Sequence, residues 1–395
     1  MASKEMFELG SKSSAIRDLF DYGQKQAVIV GKENVFDFSI GNPTVPAPPC
    51  VKEAIENLLN TKASVEIHGY TSAPGDISVR NGLADFMNTT YDAGVRAENF
   101  YMTCGAAASL TMSLKALVES SEDEIILIAP FFSEYTVFIQ NTGAKRVVLP
   151  PDTTHFQIDF AALEHAITPH TRAIIINSPN NPSGTVYTAD TYTRLAALLT
   201  QKSKEYGHPV YIISDEPYRE IIYDNMPILY VPKFYKDTVI CYSYSKSLSL
   251  PGERIGYILV PDYVEGAREI YAAICGAGRS MGFVCAPNLF QKVVLACLGK
   301  TSDIAVYDAN RKLLYNGLKD MGYECIYPSG AFYLFVKSPE PDAKVFSEKA
   351  KELNLLIVPA DDFGCPGYVR VSYCVDPDMI QRSFAAFQKL INQYK

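Results

Sequence analysis

Short runs of β-branched and other apolar residues alternate along this chain with longer stretches whose apolar positions recur at helical spacing. The short runs predict strands over residues 99–103, 124–129, 146–150, 172–177, 210–214, 239–243 and 255–260. The first four are almost continuously apolar, the pattern of strands buried on both faces of a mostly parallel sheet. Helical patterns such as "AAASLTMSLKALVES" and "TYTRLAALLTQKSKEYG" lie between many of them, the second closed by Gly207 with Pro209 following. This alternation predicts an α/β fold, with a doubly wound, mostly parallel seven-stranded sheet in a large domain over residues 48–287. Beyond it the pattern changes. A long helix ("VYDANRKLLYNGLKDMG") leads to "GAFYLFVK", a further helix, "LLIVP", "YVRVSY" and a C-terminal helix. Residues 288–395 and 1–47 are therefore expected to build a smaller α+β domain. The N-terminal part, with helix "SAIRDLFDYG" and strand "VFDFSIG", forms an arm that packs on it or on a partner subunit.

Composition narrows the function classes. The 395 residues are 48% hydrophobic and 20% charged, as in ordinary globular proteins. A net charge of -8 lacks the basic surplus that nucleic-acid binding needs. The nine cysteines form no C-x-x-C pair and the five histidines no H-E-x-x-H, so neither a disulfide framework nor a zinc site is expected. The N-terminus lacks the apolar core of a signal peptide and no apolar run reaches membrane-spanning length. The expectation is a cytoplasmic, metal-independent protein.

Ligands of open α/β sheets bind outside the carboxyl ends of the strands, and there the polar residues of this chain accumulate. A small-residue turn, Gly105-Ala106-Ala107, feeds a helix N-terminus, whose free N–H groups suit an anion such as phosphate. Asn181 falls in "SPNNPSG", Asp215 and Tyr218 follow the fifth run, and Ser245 and Lys246 follow the sixth. Each has a plain structural explanation as turn former, helix cap or half-buried aromatic. Together they make chemical sense. A lysine amine forms a Schiff base with an aldehyde cofactor, and an electron-sink pyridine works best with its ring nitrogen held protonated by a carboxylate such as Asp215. Tyr218 and Asn181 suit a ring hydroxyl. The inferred cofactor is pyridoxal 5'-phosphate.

These motifs resemble the class I (fold-type I) pyridoxal-phosphate-dependent aminotransferases, the aspartate aminotransferase superfamily, over essentially the whole chain. The stretches "SPNNPSG", "SDEPY", "SYSKSLSLPGERIGY" and "YVRVSY" occur in the family's order. The resemblance implies that Lys246 carries the cofactor and is the base of the 1,3-proton shift. It implies that Ser243 and Arg254 join the Gly105–Ala107 turn on the phosphate, without the hydroxyls that some members add there. Asp215 matches the partner of the pyridine nitrogen, and Tyr218 and Asn181 those of the 3′-oxygen. Phe132 matches the aromatic stacked on the ring, with Phe131 the alternative if the register slips. Tyr70, in "GYTSAPGDISVR", matches a tyrosine that reaches the phosphate of the neighbouring subunit, implying a homodimer with shared active sites. Arg370 matches the arginine that grips the substrate α-carboxylate with its planar fork, and Gly41 of "SIGNP" borders the substrate.

The implied activity is transamination between an L-amino acid and a 2-oxo acid, aspartate/2-oxoglutarate-type favoured, with aromatic or broad specificity an alternative. A second cation for a dicarboxylic substrate has two candidates, Arg279 in "CGAGRSMGF" and Arg17 in the N-terminal helix. A C–S β-lyase shares nearly all these residues and is the alternative activity. An effector domain of a transcription regulator would carry an N-terminal DNA-binding domain, and a nicotinamide dehydrogenase would carry G-x-G-x-x-G after its first strand; the sequence argues against both.

Overall fold

The computed structural model describes residues 2–11 and 14–395. A short strand, β1 (Phe36–Asp37), precedes the central sheet. That sheet is built from β2 (Phe100–Thr103), β3 (Glu124–Ile128), β4 (Lys145–Leu149), β5 (Thr171–Asn177), β6 (Tyr211–Asp215), β7 (Thr238–Ser243) and β8 (Gly256–Leu259). Its order is β2-β8-β7-β6-β5-β3-β4, with β8 antiparallel to both neighbours and every other pair parallel. All seven predicted strands are present within a residue or two at their ends. The parallel centre is apolar on both faces because helices cover both: Ile125, Ile126 and Leu127 are fully buried on consecutive positions. Each such side chain contributes roughly 1.5–3 kcal/mol on leaving water.

Local chemistry ends the helices where the sequence indicates. Thr188 caps helix Ala189–Tyr206 by accepting from the Thr191 amide, and Gly207 closes it at φ 74°, a left-handed turn that costs glycine nothing.

The last third forms a three-stranded antiparallel sheet of β9 (Tyr333–Lys337), β11 (Val358–Pro359) and β12 (Tyr368–Ser372), in the order β11-β12-β9. The run "LLIVP" is not one strand. Ile357 divides it into β10 (Leu355–Leu356), which pairs in parallel with β1, and β11, which pairs with β12. The N-terminal strand is likewise shorter than "VFDFSIG" suggests, because Asp37 turns back to accept from the Ser39 amide and hydroxyl. Helix Ala15–Val30 runs further than its first ten residues predict, and its Leu19 packs with Phe335, Leu356 and Val358. No helix among the described residues is long and apolar enough to cross a membrane.

Candidate active site

The carboxyl ends of β5, β6 and β7 and the middle of β12 converge on a cavity of about 290 Å³. Lys246 enters it from the short helix Tyr244–Ser247, which begins where β7 ends. Its Nζ donates to the Gly41 carbonyl at 2.7 Å. Burial pushes the ammonium down to about 8; the Cys374 thiol opposes this, while the positive Arg370 and Arg254 reinforce it.

Asp215 is the last residue of β6 and is buried. Its Oδ2 accepts from the Tyr135 hydroxyl at 2.5 Å, and its Oδ1, equally buried, has no partner. Burial raises this carboxyl to about 7, even though the Tyr135 hydrogen bond favours the ionised form. A buried carboxylate oxygen without a partner at a cavity wall calls for a donor.

Arg370 stands in an otherwise apolar strand and is 2% exposed. Nη1 donates to Asn181 Oδ1 at 3.0 Å and Nη2 to the Ser39 carbonyl at 2.5 Å, while Nε has no partner. The guanidinium lies 4.7 Å from the Tyr333 ring centre and 5.1 Å from that of Phe363. Asn181 is itself set by its amide, which donates to Asn177 Oδ1 at 2.8 Å. The Tyr218 and Tyr333 hydroxyls are 2.8 Å apart. Gly41 lines the cavity, and a Cβ there would overlap the Tyr333 hydroxyl.

Other groups of the same cavity suit an anion. Ala106 and Ala107, in the first turn of helix Ala106–Leu117, line the cavity beside Ser243 and Arg254. Ser243 caps the lysine's own turn by accepting from the Ser245 amide. Arg254 adopts φ 53°, and its guanidinium packs over Gly105, where a Cβ would come within 2.7 Å of Nη2. Phe132 lines the same cavity, whereas Phe131 faces a neighbouring one of about 790 Å³.

Gly105 lies behind Arg254 rather than on the cavity wall, and Tyr70, Arg279 and Arg17 lie outside the cavity of this chain. Tyr70 is 91% exposed. Arg279 is exposed in the last turn of helix Ala267–Ser280. Arg17 borders the larger neighbouring cavity, while its neighbour Ile16 reaches the site itself. The sequence reading did not assign Tyr135, Tyr333 or Asn177. Tyr135 had one available signal: it stands three residues after Phe132, on the same side of a helical turn.

The arrangement presents an amine of lowered basicity, a buried carboxylate with a free oxygen, a cation with a free N–H and a cradle for a second anion. A family model described as "Aminotransferase class I and II" matches residues 33–387. The chain is 27% identical to aromatic-amino-acid aminotransferase 2 of Thermococcus litoralis over the whole of both proteins. It is 29% identical to a probable aspartate aminotransferase of Methanocaldococcus jannaschii, over 96% of this chain and 97% of that one. Among solved structures it is similar to an amino transferase from Eubacterium rectale, at TM-score 0.98 and 57% identity over 100% of this chain and 99% of that one. The aspartate aminotransferase of Thermotoga maritima superposes at TM-score 0.86, with 25% identity over 99% of this chain and 100% of that one.

Proposed function

Because the chain belongs to the class I and II aminotransferases, we propose that this aminotransferase uses pyridoxal 5'-phosphate to exchange the amino group of an L-amino acid with a 2-oxo acid, with aspartate and 2-oxoglutarate the favoured pair. The observation that carries this reading is the orphaned Asp215 Oδ1 on the cavity that the Lys246 amine also lines. A protonated ring nitrogen is the donor that this oxygen lacks, so the residues fit the cofactor. Ser243, Arg254 and the amides of Ala106 and Ala107 would hold the phosphate. Tyr218 and Asn181 would hold the ring hydroxyl, and Phe132 would cover the ring.

The bound cofactor supplies an aldehyde for Schiff-base chemistry and a pyridine ring that delocalises charge from the substrate Cα. The protein's own groups do the rest. Arg370 takes the α-carboxylate, its charge having no carboxylate partner among the described residues. That grip fixes the direction of the Cα–H bond. Lys246, neutral above about pH 8 in the ligand-free site, is suited to remove the Cα proton and return it. Asp215 holds the ring nitrogen's proton, and Tyr135 holds Asp215.

A homodimer with shared sites is part of the proposal. Tyr70, Val65 and Val284 are 91%, 79% and 64% exposed. Asn288 joins their segments by donating to the Glu66 and Gly69 carbonyls. Such an apolar surface suits a partner subunit, through which Tyr70 would reach the second site. Arg279 or Arg17 would meet a distal carboxylate, and the cytoplasm is the expected compartment.

The test is the visible spectrum of purified protein with added pyridoxal phosphate, beside Lys246→Ala. A yellow wild type that aspartate bleaches with release of oxaloacetate supports the reading, as does a variant that does not form the same species. A wild type that stays colourless overturns the cofactor. Bleaching by tyrosine or phenylalanine alone moves the substrate to the aromatic class.

A further inference from the structure

A second cavity, of about 350 Å³, opens between helix Ile77–Tyr91, strands β7 and β8 and the turn at residues 297–301, and shares no wall residue with the active site. Its volume lies in the range of small-molecule sites. The wall is aromatic. Tyr242 and Tyr257 stack at 4.9 Å, Tyr244 stands edge-on to Tyr242 at 5.0 Å, and Tyr91 completes the cage. The wall is also braced: the Tyr242 hydroxyl donates to Glu220 and lies 2.8 Å from that of Ser247, in the turn that carries Lys246.

One buried polar group in this wall is incompletely partnered. Arg219 is 4% exposed, with its guanidinium 4.4 Å from the centre of the Tyr242 ring. Nε donates to Glu216 at 2.6 Å and Nη1 to the Tyr257 hydroxyl at 2.9 Å, but Nη2 has no acceptor. Charge then selects the occupant. The wall carries Arg219, Lys300 and Glu220, and Glu216, outside it, neutralises Arg219, so the charges left to a ligand, Lys300 and Glu220, balance. A charged ligand would therefore meet no net opposite charge. A neutral ring fits the cage, a carbonyl oxygen answers the Arg219 N–H, and Glu220 can accept from an amide.

We propose that this cavity is a second binding site, for an uncharged aromatic molecule bearing a carbonyl acceptor, of which an aryl carboxamide is the simplest.

Calorimetric titration of the cofactor-loaded protein with benzamide tests this. The expected result is saturable binding at about 1 mM or tighter, the range for so small a ligand. Benzoate and benzylamine should bind at least about 10-fold more weakly, since each adds an uncompensated charge. Thr90→Trp, at an exposed position on the cavity wall, should abolish benzamide binding with an unchanged melting temperature. Arg219→Lys should weaken it about 10-fold, the worth of one hydrogen bond to a charged donor. Absence of saturation up to about 10 mM overturns the site. Binding undiminished in Thr90→Trp places the ligand elsewhere and also overturns it. Benzoate binding more tightly than benzamide overturns the ligand class.

Discussion

Two arginines in the last quarter of the chain are almost fully buried, and they are buried differently. Arg311 donates bidentately to Asp224 at 2.8 Å, contacts Asp308 as well, and lies against the rings of Tyr223 and Tyr327. Arg370 is as deeply buried but has only an amide oxygen, a carbonyl and two aromatic faces. A buried charge that is structural comes with its counter-ion; one that serves a ligand is left for the ligand to neutralise. On the proposed function, Arg311 is then a structural cation and Arg370 the one left for the substrate carboxylate.

The largest effect should come from the first of these. Arg311→Met removes the partner of half-exposed Asp224, leaves Asp308 to Lys312 and leaves the Pro328 carbonyl without its donor, and should lower stability by about 1–3 kcal/mol in urea unfolding. Arg370→Lys should leave the urea midpoint nearly in place while reducing kcat/KM by about 10–100-fold, chiefly through KM, because a point charge replaces a planar fork. If the two variants exchanged these outcomes, the division of roles would be wrong. A dicarboxylate such as maleate sharpens the contrast: at 100 times its Kd it should stabilise the wild type by about 2.7 kcal/mol and Arg370→Lys by much less at the same concentration.

The lysine follows the same logic more weakly. Its folded value of about 8 lies below the ordinary 10.5, so the unfolded chain binds more protons between those limits. Cofactor-free protein should therefore gain stability as pH rises from about 8 towards 10.5. Lys246→Met should remove that slope and, near neutral pH, add about 1–2 kcal/mol, seen as a raised melting temperature. The smallest change should follow Tyr135→Phe. Loss of its hydrogen bond favours protonated Asp215, so the acid limb of the kcat/KM profile should move to higher pH.

The central sheet was legible because burial on both faces leaves short continuous apolar runs that recur between helical patterns. β1, β10 and β11 were less so: two-residue strands carry no period, and the break at Ile357 is set by two different sheets claiming its neighbours. In the site, Lys246, Asp215 and Arg370 showed as polar residues at strand ends or inside an apolar strand. Tyr135 and Tyr333 did not, since a tyrosine in an apolar stretch reads equally as core, and only the position of its hydroxyl distinguishes the two. The cavity of a single chain does not include Tyr70 or Arg279, so their proposed roles depend on the partner subunit.

The packing of Arg254 over Gly105 has a consequence for how this sequence can drift. The guanidinium fills the space a side chain would need, so any replacement of Gly105 is incompatible with Arg254 in its present place. The two positions lie 149 residues apart in the chain, yet a side chain at 105 would push the Arg254 tip aside and strain a backbone at φ 88°. In a library randomised at both, glycine at 105 should be enriched wherever arginine is kept at 254.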